Sequence, residues 1–144
     1  MKSAASHRLR IAMAALNPTV GDLAGNSAEI ARAVAAASSE GVHLIVFPEM
    51  VLTGYPIEDL ALRPSFRAAS KAAIDELAQA IEDQGHGEVV VVVGYLDQAP
   101  SGGPQNVAAV IHRGQVRARY IKTHLPNFGV FDEYRNFVAG DSTL

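Results

Sequence analysis

The segment HLIVFPE, residues 43–49, decides the fold class of this chain. Its first five residues form a short run that is apolar after the initial histidine, and Pro48 ends the run. A continuous apolar run of this length is typical of a strand inside a sheet that has helices packed against it. We therefore predict a strand that is covered on both faces and ends just before Glu49.

A second strand and a helix are predicted upstream of this segment. LRIAMAAL, residues 9–16, is another apolar run and predicts a buried strand, and NPTVGD after it is typical of a turn. An alanine-rich segment then predicts a helix. Asn26 and Glu29 have the spacing of a capping box at its start, and Gly41 stands where a C-terminal cap is expected.

Downstream of the segment, a long loop leads into a second helix. Residues 49–64, EMVLTGYPIEDLALRP, predict a loop with one helical turn, and loops of this length in compact domains are usually functional. From Ser65 the sequence SFRAASKAAIDELAQAIEDQ predicts an amphipathic helix. Its predicted apolar face carries Phe66, Ala69, Ala73, Leu77 and Ile81.

The last third of the chain predicts three more strands. EVVVVVGYL, residues 88–96, predicts a buried strand, and a glycine- and proline-rich loop follows at residues 97–106. VAAVIH and QVRARYIK, joined by Arg113 and Gly114, predict a hairpin. The order strand, helix, strand, helix, strand, strand, strand indicates a layered α/β protein with a mixed sheet.

Composition excludes several classes of function. The 144 residues are 49% hydrophobic, which is enough for one domain with a core. A net charge of −3 gives no basic excess for a nucleic-acid or membrane-surface partner. The absence of cysteine excludes disulfides, thiolate metal sites and a thiol nucleophile within the chain. No apolar stretch approaches the ~18 residues of a membrane span, and the first apolar run is too short for a signal peptide, so we expect a cytoplasmic protein.

Lys122 is unusual because it continues an apolar strand face. Side chains alternate along a strand, so Val116, Ala118 and Tyr120 are expected to share one face, and Lys122 falls on that same face. An ammonium group there must be paired or must line a wet cleft. The alternative is that the strand has already ended and Lys122 extends to solvent.

Glu49 lies just beyond the carboxyl end of the predicted strand at residues 43–47, where open α/β sheets usually place their sites. A glutamate and a lysine together form a useful pair, because the carboxylate takes a proton from a nucleophile and the ammonium stabilises an oxyanion. The alternative is a solvated loop acid or a helix cap.

Other candidates are weaker. His112 and His124 do not have the spacing of zinc ligands. PSGGPQN, residues 100–106, has no Lys-Ser or Lys-Thr after its glycines, so it does not predict a phosphate-binding loop. Ser142 and Thr143 have no base placed to activate them.

Two long motifs carry a resemblance to a known family. FPEMVLTGYPIEDLALRPSF, residues 47–66, and YIKTHLPNFGVFDEYRNF, residues 120–137, resemble the carbon-nitrogen hydrolase (nitrilase) superfamily. Within it, they are most similar to the N-terminal glutamine-hydrolysing domain of glutamine-dependent NAD synthetases. The resemblance covers nearly the whole chain, from Leu9 onward.

The resemblance implies a catalytic role for two residues. The family uses a glutamate, a lysine and a cysteine, and the first two match Glu49 as general base and Lys122 as oxyanion stabiliser. The family's cysteine follows the lysine loop and has no counterpart here. The resemblance therefore implies that residues 1–144 are the N-terminal part of such a domain, truncated before the nucleophile, without a synthetase domain and inactive alone.

Supporting residues follow from the same resemblance. Glu133 matches a carboxylate that keeps Lys122 charged and oriented. Tyr55 and Phe128 match positions around the substrate pocket.

The resemblance further implies a four-layer α-β-β-α sandwich, of which this chain supplies about half. The implied reaction hydrolyses glutamine to glutamate and ammonia, and the ammonia serves ATP-dependent amidation of nicotinic acid adenine dinucleotide to NAD. No cofactor is expected in this segment, and ATP and magnesium belong to a synthetase domain. The partners implied are glutamine and, at full length, further copies in a homo-oligomer.

Two alternatives remain open from the sequence. One is part of a stand-alone carbon-nitrogen hydrolase that acts on ω-amides and shares Glu49 and Lys122. The other is a non-catalytic module that binds a partner through an open sheet edge.

Overall fold

The computed structural model describes residues 8–141, so the candidates Ser142 and Thr143 lie outside the described residues. This part of the chain forms five strands, two long helices, one 3₁₀ helix and one short helix. Their bounds are β1 (Ile11–Met13), α1 (Leu23–Ser39), β2 (Leu44–Val46), the 3₁₀ helix (Glu58–Leu62), α2 (Pro64–Asp83), β3 (Val90–Gln98), β4 (Pro104–His112), β5 (Gln115–Ile121) and α3 (Glu133–Asn136).

One mixed sheet organises the molecule. The strands lie in the order β1-β2-β3-β4-β5, with β1, β2 and β3 parallel and β3, β4 and β5 antiparallel. Helices α1 and α2 connect the parallel strands and pack together on one face of the sheet, in a single core that includes Ile30, Ile45, Ile74 and Val91. The predicted α/β class with a mixed sheet is confirmed. No helix in the described residues has the length and apolar character needed to cross a bilayer.

The second face of the sheet is covered by described residues only near Gly94 and Leu96 of β3. There the turn of residues 48–50 and a small cluster that includes Met50, Ile57 and Phe137 pack on it, and the other rows of this face are uncovered by described residues. We call this second face the open face.

One row of side chains on this face crosses four neighbouring strands. It consists of Met13, which is 89% exposed, and the half-buried Val46, Val92 and Val110. The predictions that residues 9–16 form a buried strand and that residues 43–47 are covered on both faces are therefore wrong. Both crossover helices lie on the same side of the sheet, so neither of them covers the row from Met13 to Val110.

The first helix begins earlier than its predicted capping box. Its N-cap is Asp22, whose carboxylate accepts a hydrogen bond from the Gly25 amide at 2.9 Å. Asn26 is buried instead and holds two loops, because its side-chain amide donates to the carbonyl oxygens of Thr19 and Leu52. At the other end, Gly41 has a φ of 69°, as a glycine that follows a helix often does.

Helix α2 is rotated relative to its predicted apolar face. Its buried side chains include Ser70, Ile74 and Leu77, whereas Ala69 is exposed. The physical reason is that the helix contacts two neighbours at once. Ile74 packs into the sheet core, while Ala69 and Ala73 line a groove against α1.

The hairpin forms as predicted, but with a bulge. Arg113 and Gly114 both have positive φ, at 50° and 70°, as a two-residue hairpin turn requires. Val110 pairs with Ala118 and Ile111 with Val116, so Arg117 is left out of the pairing.

The bulge changes which face Val116 occupies. Val116 packs against the helix-side core, whereas Ala118 and Tyr120 pair with open-face residues of β4. The prediction that Val116 shares their face is wrong, because an extra residue in one strand breaks the strict alternation of side chains.

Candidate active site

Glu49 lies three residues after the end of β2, in a tightly packed turn. Met50, the next residue, has a left-handed φ of 54°. The turn packs on Gly94 of β3, where an added Cβ would lie 2.3 Å from the Met50 nitrogen and 2.8 Å from the Pro48 oxygen. The missing side chain at Gly94 therefore allows the segment that carries Glu49 to lie against the sheet.

Lys122 directly follows β5 and continues its alternation, so it projects on the same side as Tyr120. Its backbone is held from both sides. The Lys122 amide donates to the Asn106 oxygen, and the Lys122 oxygen accepts from the Gly140 amide, each at 2.9 Å. The position of this lysine is thus set by sheet register.

The structure brings Glu49, Lys122 and Glu133 into one cluster, which we call the Glu-Lys-Glu cluster. The Lys122 Nζ atom lies 2.9 Å from Glu49 Oε1 and 2.8 Å from Glu133 Oε2. The Glu133 side chain is 4% exposed, whereas that of Glu49 is 50% exposed. Lys122 therefore neutralises a buried carboxylate on one side and faces an accessible carboxylate on the other.

Glu133 enters the cluster from the short helix α3. Its amide donates to the Pro126 oxygen and its own carbonyl accepts from the Phe137 amide, which hold the start of α3 in place. The Tyr55 hydroxyl donates to Glu133 Oε1 at 3.0 Å. Tyr55 thus lies beside the cluster and contacts it through Glu133.

Two pKa shifts describe the electrostatics of the cluster. Burial lowers the pKa of Lys122, but its hydrogen bonds to Glu133 and Glu49 outweigh that effect and raise the pKa above its ordinary value. Burial, together with the hydrogen bond to Glu133, raises the pKa of Tyr55 to about 12. At neutral pH the lysine is charged and the phenol is protonated.

Asn106 is a site residue that the sequence did not reveal. Its side-chain amide donates to Glu49 Oε1, and it is 4% exposed. The sequence predicted a loop over residues 97–106, but β3 extends to Gln98 and β4 begins at Pro104. No local signal identifies Asn106, because only its pairing position in β4 brings it to Glu49.

Phe128 lies apart from the cluster. Its side chain is 70% exposed, and its ring meets that of Phe131 edge to face at a centroid distance of 6.0 Å. Phe131 in turn lies 6.5 Å from the Tyr55 ring. A substrate-binding role for Phe128 stays a prediction.

A cavity of about 340 Å³ opens beside the Glu-Lys-Glu cluster. Glu49, Lys122 and Asn106 line its polar side, and Val46, Val92 and Tyr120 of the open face line its apolar side. The carboxylate of Glu49 is positioned to accept a proton, and the ammonium of Lys122 to stabilise negative charge on a substrate oxygen. Within residues 8–141, no group of histidine or acidic side chains is arranged to hold a metal ion.

The structure thus brings a glutamate and a lysine together at the strand ends of a mixed α/β sheet, as the resemblance to the carbon-nitrogen hydrolases implied. Residues 10–143 match the family model described as Carbon-nitrogen hydrolase, and the chain belongs to this family.

Its relatives include glutamine-dependent NAD(+) synthetases. That of Thermotoga maritima is 42% identical over 137 residues, which are 95% of this chain and 23% of the relative. That of Aquifex aeolicus is 42% identical over 138 residues, which are 94% of this chain and 23% of the relative. The chain thus spans about a quarter of the length of these relatives.

Solved structures show the same likeness. The glutamine-dependent NAD+ synthetase from Acinetobacter baumannii in complex with ADP superimposes with a TM-score of 0.83 at 33% identity, over 94% of this chain and 25% of that chain. An amidase from Nesterenkonia sp. superimposes with a TM-score of 0.71 at 25% identity, over 93% of this chain and 49% of that chain. The fold is therefore of the nitrilase type.

Proposed function

We propose that this chain is part of the glutamine-hydrolysing domain of a glutamine-dependent NAD synthetase. The observation that carries the proposal is the Lys122 ammonium, held between an accessible carboxylate and a buried one beside a cavity. The similarity to named synthetases over 94–95% of the chain supports glutamine as the substrate.

In the proposed reaction, Glu49 takes the proton from a cysteine thiol and the thiolate attacks the side-chain amide carbon of glutamine. Lys122 stabilises the negative charge that develops on the carbonyl oxygen. The carbon-nitrogen bond then breaks, ammonia leaves, and water hydrolyses the thioester to glutamate. We propose that the ammonia amidates nicotinic acid adenine dinucleotide to NAD in an ATP- and magnesium-dependent step that uses other parts of the protein.

The supporting residues have distinct roles in this proposal. Glu133 holds Lys122 charged and oriented, and Tyr55 holds Glu133. Asn106 orients Glu49 through its side-chain amide. Phe128 forms part of the wall of the glutamine pocket.

Residues 1–144 contain no cysteine. We therefore propose that these residues taken alone do not hydrolyse glutamine, because Glu49 and Lys122 can polarise an amide but cannot form the covalent intermediate. The nucleophile in the proposed reaction comes from a segment outside them.

A cytoplasmic location and assembly into a symmetric homo-oligomer belong to the same proposal. Light scattering on the full-length protein tests the assembly.

The test uses Lys122→Met in the full-length protein. Losing an oxyanion donor typically lowers kcat by ~10²–10³, so glutamine hydrolysis should fall by at least that factor. NAD synthesis supplied with free ammonia should continue, because it does not use the Glu-Lys-Glu cluster. The matched control is Arg32→Met, which removes an exposed positive charge on α1 and should leave both rates unchanged.

The proposal fails if the Lys122→Met variant keeps near-normal glutamine turnover while its circular dichroism spectrum is unchanged. Loss of the ammonia-supported rate as well would indicate a general structural role for Lys122.

A second candidate is part of a stand-alone amidase, which the similarity to the Nesterenkonia sp. amidase favours. A substrate panel of glutamine and short aliphatic amides separates the two. Preference for the aliphatic amides would support this second candidate over glutamine hydrolysis.

A further inference from the structure

A second polar cavity lies beside helix α2, with a volume of about 420 Å³. Arg67, Lys71 and Gln98 supply its polar lining, and Ala68, Ala99 and Pro100 supply the rest. It shares no residue with the cavity beside the Glu-Lys-Glu cluster. Its lining contains two cationic side chains and no acidic one, in a chain that has more acidic than basic residues.

Arg67 is buried in the wall of this cavity and is only 8% exposed. Its Nε donates to Gln98 Oε1 at 3.1 Å, and its Nη1 donates to the Ala61 oxygen at 3.0 Å. Nη2 has no acceptor in the described part of the chain, and no carboxylate there lies within ion-pairing distance of the guanidinium. A mostly buried guanidinium without a carboxylate is costly, because its charge has lost much of its water without gaining a counter-ion.

The place of Arg67 in the helix adds to this cost. It is the fourth residue of α2, whose first turn contains no acidic residue, and the positive end of a helix dipole disfavours a cation. Lys71 follows four residues later, and like charges at this spacing repel each other on one helix face. Burial and the helix dipole act against Arg67, and charge repulsion acts between Arg67 and Lys71, so a bound anion would offset each effect.

We propose that this cavity binds an oxyanion of a small molecule that carries phosphate or carboxylate groups. The anion accepts hydrogen bonds from Arg67 Nη2 and from the Lys71 ammonium, while Gln98 holds the guanidinium in place. A volume of about 420 Å³ exceeds what one phosphate needs and lies in the range of small-molecule sites, ~300–1,000 Å³. A diphosphate or a tricarboxylate therefore suits the cavity better than a single ion.

The experiment is calorimetric titration of the full-length protein with pyrophosphate, citrate and inorganic phosphate at constant ionic strength. We expect saturable binding that weakens about tenfold in Lys71→Gln and at least as much in Arg67→Gln, because charge-assisted hydrogen bonds are lost. Lys71 is exposed, so its replacement should leave the fold intact. The control Arg32→Gln removes one exposed positive charge elsewhere and should bind as the parent protein does.

Only the binding that Lys71→Gln weakens is attributed to this cavity, because the proposed ATP-dependent step would bind phosphates elsewhere. Within that binding, a higher affinity for pyrophosphate than for citrate assigns the cavity to phosphates, and the reverse order assigns it to carboxylates. The proposal is overturned if no probe binds saturably at millimolar concentration, or if Lys71→Gln binds like the parent protein. It is also overturned if Arg32→Gln weakens binding as much as Lys71→Gln, because the effect would then be general electrostatics. Glutamine turnover plays no part in this test, so its outcome is independent of the proposed hydrolysis.

Discussion

Glu133 joins the parts of the candidate site at the scale of single residues. Its buried carboxylate touches the Lys122 ammonium and the Tyr55 hydroxyl at the same time. A buried carboxylate that lost its lysine would be an uncompensated charge, so Glu133 and Lys122 depend on each other. The pair therefore supplies both local stability and a lysine that stays charged.

The titration of Tyr55 tests this arrangement. Its phenol should ionise with a pKa of about 12, above the usual 10.0, because burial and the nearby Glu133 carboxylate favour the protonated form. The raised pKa contributes stability that is fully present below pH 10 and is lost as pH rises toward 12. The chain has no tryptophan, so near-ultraviolet absorbance follows its tyrosines alone.

Difference titrations assign the transition to Tyr55. The transition near pH 12 should disappear in Tyr55→Phe and move to lower pH in Glu133→Gln, which removes the carboxylate charge, whereas the still later transition of Tyr95, whose pKa burial raises further, should remain in both variants. The control Tyr134→Phe removes an exposed tyrosine and should leave the transition near pH 12 in place. An unchanged transition near pH 12 in Tyr55→Phe would contradict the hydrogen bond to Glu133.

Gly94→Ala tests how Glu49 is held. The new Cβ would meet backbone atoms at 2.3 to 2.9 Å, and backbone cannot move aside as the end of a side chain can. We expect the free energy of unfolding to fall by ~1–3 kcal/mol, as in overpacked cores. Glutamine turnover in the full-length protein should fall further than this loss explains, because the Glu49 segment is displaced.

Gly103→Ala is the matched control. Its new Cβ would meet the tip of the half-exposed Val138 side chain, which can move. Chemical denaturation and glutamine turnover should therefore change little. Equal losses in the two variants would show that Gly94 has no special relation to the Glu49 segment.

At the scale of elements, α2 contains a buried hydroxyl that has no hydrogen-bond partner within residues 8–141. Ser70 is 0% exposed, and its Oγ makes no hydrogen bond within the described residues. Ser70→Ala removes an unsatisfied polar group and increases helix propensity, so the free energy of unfolding should rise by ~0.5–1.5 kcal/mol. Chemical denaturation measures this change. The control Ser65→Ala alters an exposed serine in the same helix, and a drop in stability only at Ser70 would contradict the unsatisfied hydroxyl.

Strand β5 shows how the pairing of two strands can change the sheet face that is predicted for a side chain from simple alternation. The bulge at Arg117 moves Val116 to the helix side, yet Lys122 still projects from the open face. Alternation is continuous from Ala118 to Lys122, so the expected side of the lysine was right although that of Val116 was not. A bulge cannot be located from alternating residues alone, because it depends on how two strands pair.

At the scale of the whole molecule, the open face dominates the behaviour expected of residues 1–144 alone. Its apolar rows, with Met13 89% and Ile11 52% exposed, exceed the scattered apolar residues of an ordinary surface. We expect this 144-residue chain to bind hydrophobic dyes and to self-associate. Light scattering and dye fluorescence measure both effects.

A matched pair of variants makes this prediction specific. Val92→Thr and Val110→Thr alter one row of the open face and should reduce dye binding and association. Val20→Thr, an exposed valine outside the sheet, should reduce neither. A monodisperse parent chain that binds no dye would contradict the exposed apolar face.

The sequence by itself determined the order and type of the five strands and the two long helices, but not the short helix α3. Period-two and period-3.6 patterns are local properties, so they identified the strands, both long helices and the turn at Arg113 and Gly114. Local chemistry also singled out Glu49 and Lys122, because each places a charge at the end of an apolar strand. The long motifs then supplied the family and, with it, Glu133.

The tertiary structure alone decided which residues meet. The register of β4 brings Asn106 to Glu49, and the packing of α2 buries Arg67 away from any described carboxylate. Asp22 rather than Asn26 caps α1, because Asn26 is needed between two loops that are far apart in the chain. These contacts join segments with large sequence separations, and their energies depend on strand pairing and on which face the helices cover. No local pattern contains that information.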